Sequence, residues 1–226
     1  MKSITAAIRK QVILPITFSF IGASALLFLS AGSFLFVEGW IFLGTCLIVG
    51  VCFFAWLAKK QPAQLMNRIM PQEKSKRQNC LIFAAAIIWC LILTTSGICF
   101  RFQRFRMSSW RYVFTICLMA AACYILVNVF KENPYLSKAI EKQDKHMIAR
   151  SGAYSYIRHP MYLAIVLFNT AIVLILGTFI NFVFFPVMVY ILVLRIEDEE
   201  KFLKENFPEY SNYINAVRYK LLPLIW

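Results

Sequence analysis

Five apolar runs free of Lys, Arg, Asp and Glu divide the chain: 12–30, 40–58, 80–100, 112–130 and 160–194. The first four hold 19, 19, 21 and 19 residues. A helix of about 20 apolar residues crosses the hydrocarbon core, where every backbone N–H and C=O must find a partner within its own segment. Each of these runs therefore predicts a transmembrane helix. The fifth run is 35 residues long, short of the roughly 40 that two full crossings need before any turn. It predicts a tight helical hairpin with arms near 161–176 and 180–200. The break falls at Gly177-Thr178, because Gly has a low helix propensity. A hairpin returns the chain to the side from which it came. The clusters at its two ends, Arg158-His159 and Arg195-Ile196-Glu197-Asp198-Glu199-Glu200, are therefore expected side by side at one membrane face.

The polar stretches complete this pattern. Residues 131–158 are polar and carry His146, and the second histidine, His159, follows directly. Asn133-Pro134 marks a turn after the fourth helix. The stretch 137–145 predicts a short interfacial helix, and a tighter segment starts at Gly152. Beyond Lys201 the chain is amphipathic, with Phe202, Leu203 and Phe207 on one side. Pro208 opens a second short helix on which Tyr210 and Tyr213 share a face. No internal repeat or separate soluble domain is visible. The fold class is all-α: a polytopic integral membrane protein of about four transmembrane helices, a C-terminal helical hairpin and cytoplasmic amphipathic helices. The whole chain, 1–226, forms one membrane domain. Residues 1–131 supply the four helices, and 132–226 form a candidate site region around the hairpin 160–200.

Composition agrees with a membrane protein: 60% of residues are apolar and the mean hydropathy is +0.65. The net charge of +13 would suggest nucleic acid in a soluble chain. Here the Lys and Arg residues lie mostly in short loops, which points to topology and anionic headgroups, with no nucleic-acid partner. With the N-terminus in the cytoplasm, twenty of the 24 basic residues are cytoplasmic. The remaining four, Arg101, Arg104, Arg106 and Arg111, share one outer loop. They are the objection to this orientation, and a shallow hairpin of the third and fourth helices is the alternative. Either version turns both hairpin clusters toward the cytoplasm. The N-terminus has the character of a signal peptide, but the apolar run is span-length and further spans follow, so it reads as uncleaved. The seven cysteines form no CxxC pair and read as small buried hydrophobes, so neither a disulfide framework nor a metal site is expected.

Candidate chemistry concentrates at the hairpin ends. Arg195 and Glu199 stand four residues apart and share a helix face. Arg195 alone could be an anchor that snorkels to the headgroups. Four consecutive acids, Glu197 to Glu200, repel one another and require cationic partners, which Arg158 and His159 can supply. His159-Pro160 reads structurally as a helix entry, Pro being suited to the first turn. His146 alone reads as a surface histidine, and Tyr154, Tyr156 and Tyr162 also suit an interfacial aromatic belt. There is no GxGxxG, P-loop, HExxH or GxSxG motif.

Taken together, GAYSYIRHPMYLA, about 30 apolar residues and RIEDEEKFLKENFPEYSNY resemble the isoprenylcysteine carboxyl methyltransferase family, part of a wider group that includes phospholipid methyltransferases. The resemblance covers residues 133–223, and the first four helices share only the family's layout. It implies an S-adenosyl-L-methionine site formed by His146, Met147, Ile148, Ala149, Tyr154, His159, Pro160, Met161, Tyr162 and Glu199. It also implies that Arg195 binds the methyl acceptor and that Arg195 and Glu199 form the catalytic pair. Two positions depart from the pattern. Ala164 stands where the family has Gly, and Ala139 where the prenylcysteine enzymes have a Gln at the cofactor.

The implied reaction suits the implied location. The cofactor is a polar sulfonium zwitterion that needs access from the cytoplasm, whereas a lipophilic or lipidated acceptor enters laterally from the bilayer. Transfer to a carboxylate removes two opposite charges and is favoured at low dielectric. Two other functions remain open at this stage: an NADPH-dependent reductase of the sterol-reductase kind, and a non-catalytic membrane protein. The sequence leaves the acceptor, the membrane and the oligomeric state undefined.

Overall fold

A computed structural model describes residues 14–60, 75–133 and 148–226. The expected interfacial helix at 137–145, together with Ala139, His146 and Met147, lies outside the described residues. Among the described residues the regular structure is all helical: α1 (Leu14–Ala31), α2 (Val37–Lys60), α3 (Lys76–Arg101), α4 (Arg111–Glu132), α5 (Pro160–Leu176), α6 (Phe185–Asn206) and α7 (Tyr210–Ala216). Short 3-10 turns at Gly152–Ser155 and Phe179–Phe184 precede α5 and α6. Among the described residues, five segments are long and apolar enough to cross a membrane: α1 to α4, and Phe179–Asn206, which contains α6. The chain is an integral membrane protein, and Phe18, Leu29, Phe83, Ile116 and Tyr124 are among its exposed large side chains.

The helix ends follow from local chemistry. The Ser75 side chain accepts the Gln78 N–H (3.3 Å) and caps α3. Pro160 opens α5, where its missing N–H costs nothing. Gly177 ends α5 in the left-handed region at φ 67°, a conformation that favours a residue without Cβ. The hairpin break therefore falls where the low helix propensity of Gly predicts. The second arm differs from expectation: 179–184 is a 3-10 turn, and α6 begins only at Phe185. Pro186 accounts for the shift, because it suits the first turn of a helix and not its interior.

The two arms of the hairpin touch through side chains, while α5 packs most closely on α4. At 17 residues α5 is about 25 Å long, less than the roughly 30 Å hydrocarbon core. Its neighbours cover it: Ala171 to Leu176 are all buried. Close packing of α1 on α3 depends on Gly97, where an added Cβ would lie 1.9 Å from Ser30 Oγ. Small residues at such crossings let membrane helices approach closely.

At one end of the bundle three turns interlock. The Met107 N–H donates to the Gly177 carbonyl and the Phe179 N–H to the Phe105 carbonyl, both at 2.9 Å. Here Glu38, at the start of α2, accepts hydrogen bonds from Arg106 and from Arg111 Nη2, the latter at 3.1 Å. Two of the four arginines that opposed the charge-based orientation are thus partnered by a buried carboxylate. Helices α3 and α4, of 26 and 22 residues, are each long and apolar enough to cross a membrane.

Candidate active site

The opposite end gathers the N-terminus of α5, the end of α6, α7 and a C-terminal strap formed by residues 217–226. The strap binds through its backbone. Its Tyr219 and Lys220 carbonyls accept the N–H groups of Arg158 and His159, both at 2.9 Å. The Arg158 guanidinium donates through Nη1 to the Val217 and Arg218 carbonyls (2.8 and 2.9 Å) and through Nε to Glu200 Oε1 (2.7 Å). His159 Nε2 lies 3.3 Å from the same Glu200 oxygen, and Lys220 Nζ lies 3.8 Å from Oε2. Arg158, His159 and Glu200 are all buried. A buried carboxylate is tolerated when paired and hydrogen-bonded, and Glu200 has three basic groups around it.

The four consecutive acids therefore do not act as one cluster. Successive helical residues point about 100° apart, so each acid meets a different environment. Glu197 is exposed. Asp198 Oδ2 reaches the start of α3, where it accepts from Gln78 Nε2 (2.6 Å) and pairs with Arg77 Nε (3.2 Å). Glu200 holds the Arg158 network. Glu199 and Arg195 lie on the part of α6 that faces α5, where Tyr162 packs against Leu192 and Ile196, and both charges act on the Tyr162 hydroxyl. Tyr162 is buried, packs with Leu192, Ile196 and Leu221, and meets the His159 ring edge-on at 5.9 Å between centroids.

The residues singled out in the sequence fall into three groups. Tyr162, Arg195 and Glu199 converge on one another. Ala149 and Met161 pack around Tyr154, together with Leu57, Val129 and Phe130. Tyr154 accepts from Asn133 Nδ2 at its hydroxyl (3.3 Å) and from the Tyr213 hydroxyl at its carbonyl (2.7 Å). Ile148 belongs to a third cluster with Phe207, Tyr210, Tyr213 and Val217. His159 and Pro160 are buried beneath these groups, His159 engaged by Glu200. Ala164 is fully buried, so its methyl occupies interior space.

Of the four acids for which the sequence offered Arg158 and His159 as partners, Glu200 is the one that takes them; Gln78 and Lys220 were not singled out. Gln78 is 1% exposed, and its Oε1 has no hydrogen-bond partner among the described residues; the Tyr210 hydroxyl is likewise buried without one. Both tyrosines of α7 are held neutral, with burial as the largest cause. The Tyr213 hydroxyl is pushed up to about 12 and that of Tyr210 also well above the usual range.

Residues 113–205 match the isoprenylcysteine carboxyl methyltransferase (ICMT) family, one of membrane methyltransferases. The match runs from α4 through the 3-10 turn and α5 into the last turns of α6, so it includes Arg158, Tyr162, Arg195, Glu199 and Glu200. No curated protein and no solved structure matches the chain.

Proposed function

We propose that this chain, whose residues 113–205 are those of the ICMT family, is an S-adenosyl-L-methionine-dependent membrane methyltransferase. It methylates a lipophilic acceptor, a carboxylate in the first instance, at the cytoplasmic edge of the bilayer. What supports this reading is that Tyr162, at the start of α5, packs against the end of α6 that carries Arg195 and Glu199, all within the matched segment. The excess of Lys and Arg in the loops on this side supports the cytoplasmic assignment.

The donor set suits the cofactor. Of the four acids, Asp198 and Glu200 are committed to α3 and to the Arg158 network, and Glu197 is exposed. Glu199 is the partly buried carboxylate on the Tyr162 face, suited to a cationic ammonium group. Tyr154, Met161 and Ala149 offer an apolar wall, and the adjoining segment that contains His146 and Met147 completes the proposed set. When bound, the cofactor supplies an electrophilic methyl group on a sulfonium.

The chain's own residues then bind and orient. Arg195 would position an anionic acceptor, since a guanidinium matches a carboxylate with two parallel N–H donors. Tyr162, packed against the end of α6 between the two charged residues' helix turns, would help hold both side chains in place. The buried stretches of α5 and α6 exclude water, which strengthens electrostatic guidance. A carboxylate acceptor is ionised at neutral pH and needs no general base. Alignment alone can supply roughly 7–11 kcal/mol of the barrier. The test is transfer of labelled methyl from S-adenosylmethionine to a prenylated cysteine and to a fatty acid, in detergent or vesicles. The reading predicts base-labile label in a lipophilic carboxyl ester. Label only in amines or headgroups would contradict the carboxylate assignment.

A further inference from the structure

Tyr210 and Tyr213 lie three residues apart on one face of α7, and both are buried. Their hydroxyls have different fates. That of Tyr213 donates to the Tyr154 carbonyl at 2.7 Å and ties α7 to the turn before α5. That of Tyr210 has no partner among the described residues, although the residue is only 1% exposed. The side chain is held firmly by the cluster of Phe207, Tyr213, Val217 and Ile148. The strap that follows α7 is pinned by Arg158 at the Val217 carbonyl (2.8 Å). The phenol therefore cannot turn out to water to satisfy itself. A phenylalanine would fill the same space without the cost of desolvating a hydroxyl. The same cluster holds Ile148, and Tyr213 beside Tyr210 bonds the Tyr154 carbonyl, so the phenol lies among residues of the proposed cofactor set.

We propose that Tyr210 is a binding residue of the active site whose hydroxyl donates a hydrogen bond to the bound S-adenosyl compound. This rests on the methyltransferase reading and adds to it a residue beyond the matched segment 113–205. Burial keeps the phenol protonated, so the donor is available across the physiological range. Among the described residues the hydroxyl has no acceptor; in the complex the bound compound supplies one. Tyr213 is the internal comparison, with the same residue type on the same helix face and its hydroxyl already used within the chain.

The inference predicts a trade-off that a purely structural hydroxyl would not show. Tyr210→Phe should leave the Tm of the free, detergent-solubilised protein unchanged or raise it, and should weaken S-adenosylhomocysteine binding about tenfold by calorimetry. Tyr213→Phe, which loses a bond within the chain, should lower the Tm. Unchanged affinity in Tyr210→Phe would overturn the inference, as would a fall in Tm matching that of Tyr213→Phe, since either would make the hydroxyl structural. Failure of the wild-type protein to bind S-adenosylhomocysteine would instead remove the methyltransferase reading itself, and the inference with it.

Discussion

Neighbouring acids at the end of α6 should have opposite phenotypes. Glu200 is buried between Arg158 Nε (2.7 Å), His159 Nε2 (3.3 Å) and Lys220 Nζ (3.8 Å). Side-chain exposure of Arg158, His159 and Glu200 is 5, 3 and 6%. Removing one partner of a buried ion pair costs about 3–5 kcal/mol, because the remaining charge is stranded. Glu200→Leu should lose that much and release the strap from the start of α5. Glu200→Gln keeps an acceptor for Arg158 and His159 but loses the charge. A charged hydrogen bond exceeds a neutral one by about 1 kcal/mol, so two bonds give a loss of roughly 2 kcal/mol. For a protein of this size each kcal/mol shifts Tm by about 2–4 °C. The expected falls are therefore roughly 4–8 °C for Gln and 6–20 °C for Leu. Glu199→Gln should change Tm little, because Glu199 is only partly buried and faces Tyr162 and Arg195. It should instead abolish or strongly weaken S-adenosylhomocysteine binding. The assays are thermal unfolding in detergent and calorimetric titration of the same samples. Equal Tm losses in the two Gln variants, or full cofactor affinity in Glu199→Gln, would refute this division of labour.

Other consequences follow from individual contacts. Arg195→Ala should impair use of an anionic acceptor far more than cofactor binding, read as separate acceptor and cofactor titrations; equal losses would contradict the role split. Glu38→Leu leaves Arg106 and Arg111 without their shared carboxylate and should cost about 3–5 kcal/mol in thermal unfolding. Because Glu38 sits at the other end of the bundle, S-adenosylhomocysteine affinity measured below the Tm should be unchanged. Stability should also fall in alkali. The Tyr213 pKa is raised on folding from about 10 to about 12, so its contribution is fully present below pH 10 and is lost as pH rises through 12. Circular dichroism between pH 9 and 12 should show a drop that is shallower in Tyr213→Phe, and an identical profile would remove Tyr213 as a cause.

The helices were legible because a membrane solvent allows few alternatives: an uncharged run of span length has to be a helix. The four runs from residue 12 to residue 130 correspond to α1–α4, and Gly177 marked the turn through its low helix propensity. Tyr210 and Tyr213 gave away α7 by their spacing. The start of α6 was misjudged because hydropathy does not distinguish a 3-10 turn of Phe179–Phe184 from α-helix; Pro186 was the available signal. Partner choice among the four acids was not legible, since it depends on which neighbour each 100° rotation meets. Glu38 left a trace, being the only acid before residue 73 and standing at the edge of a span. The strap left almost none. It binds Arg158 and His159 through backbone carbonyls of Val217 to Lys220, and carbonyls carry no sequence pattern.

The central claim is a cofactor site for an S-adenosyl compound at the end of the α5–α6 hairpin. Calorimetric titration of the detergent-solubilised wild-type protein with S-adenosylhomocysteine and, separately, with NADPH tests it most directly, with Glu199→Gln as the control. Saturable S-adenosylhomocysteine binding that disappears in the variant, with no NADPH binding, is the predicted result. NADPH binding alone would move the protein to the reductase class, and binding of neither would contradict the claim.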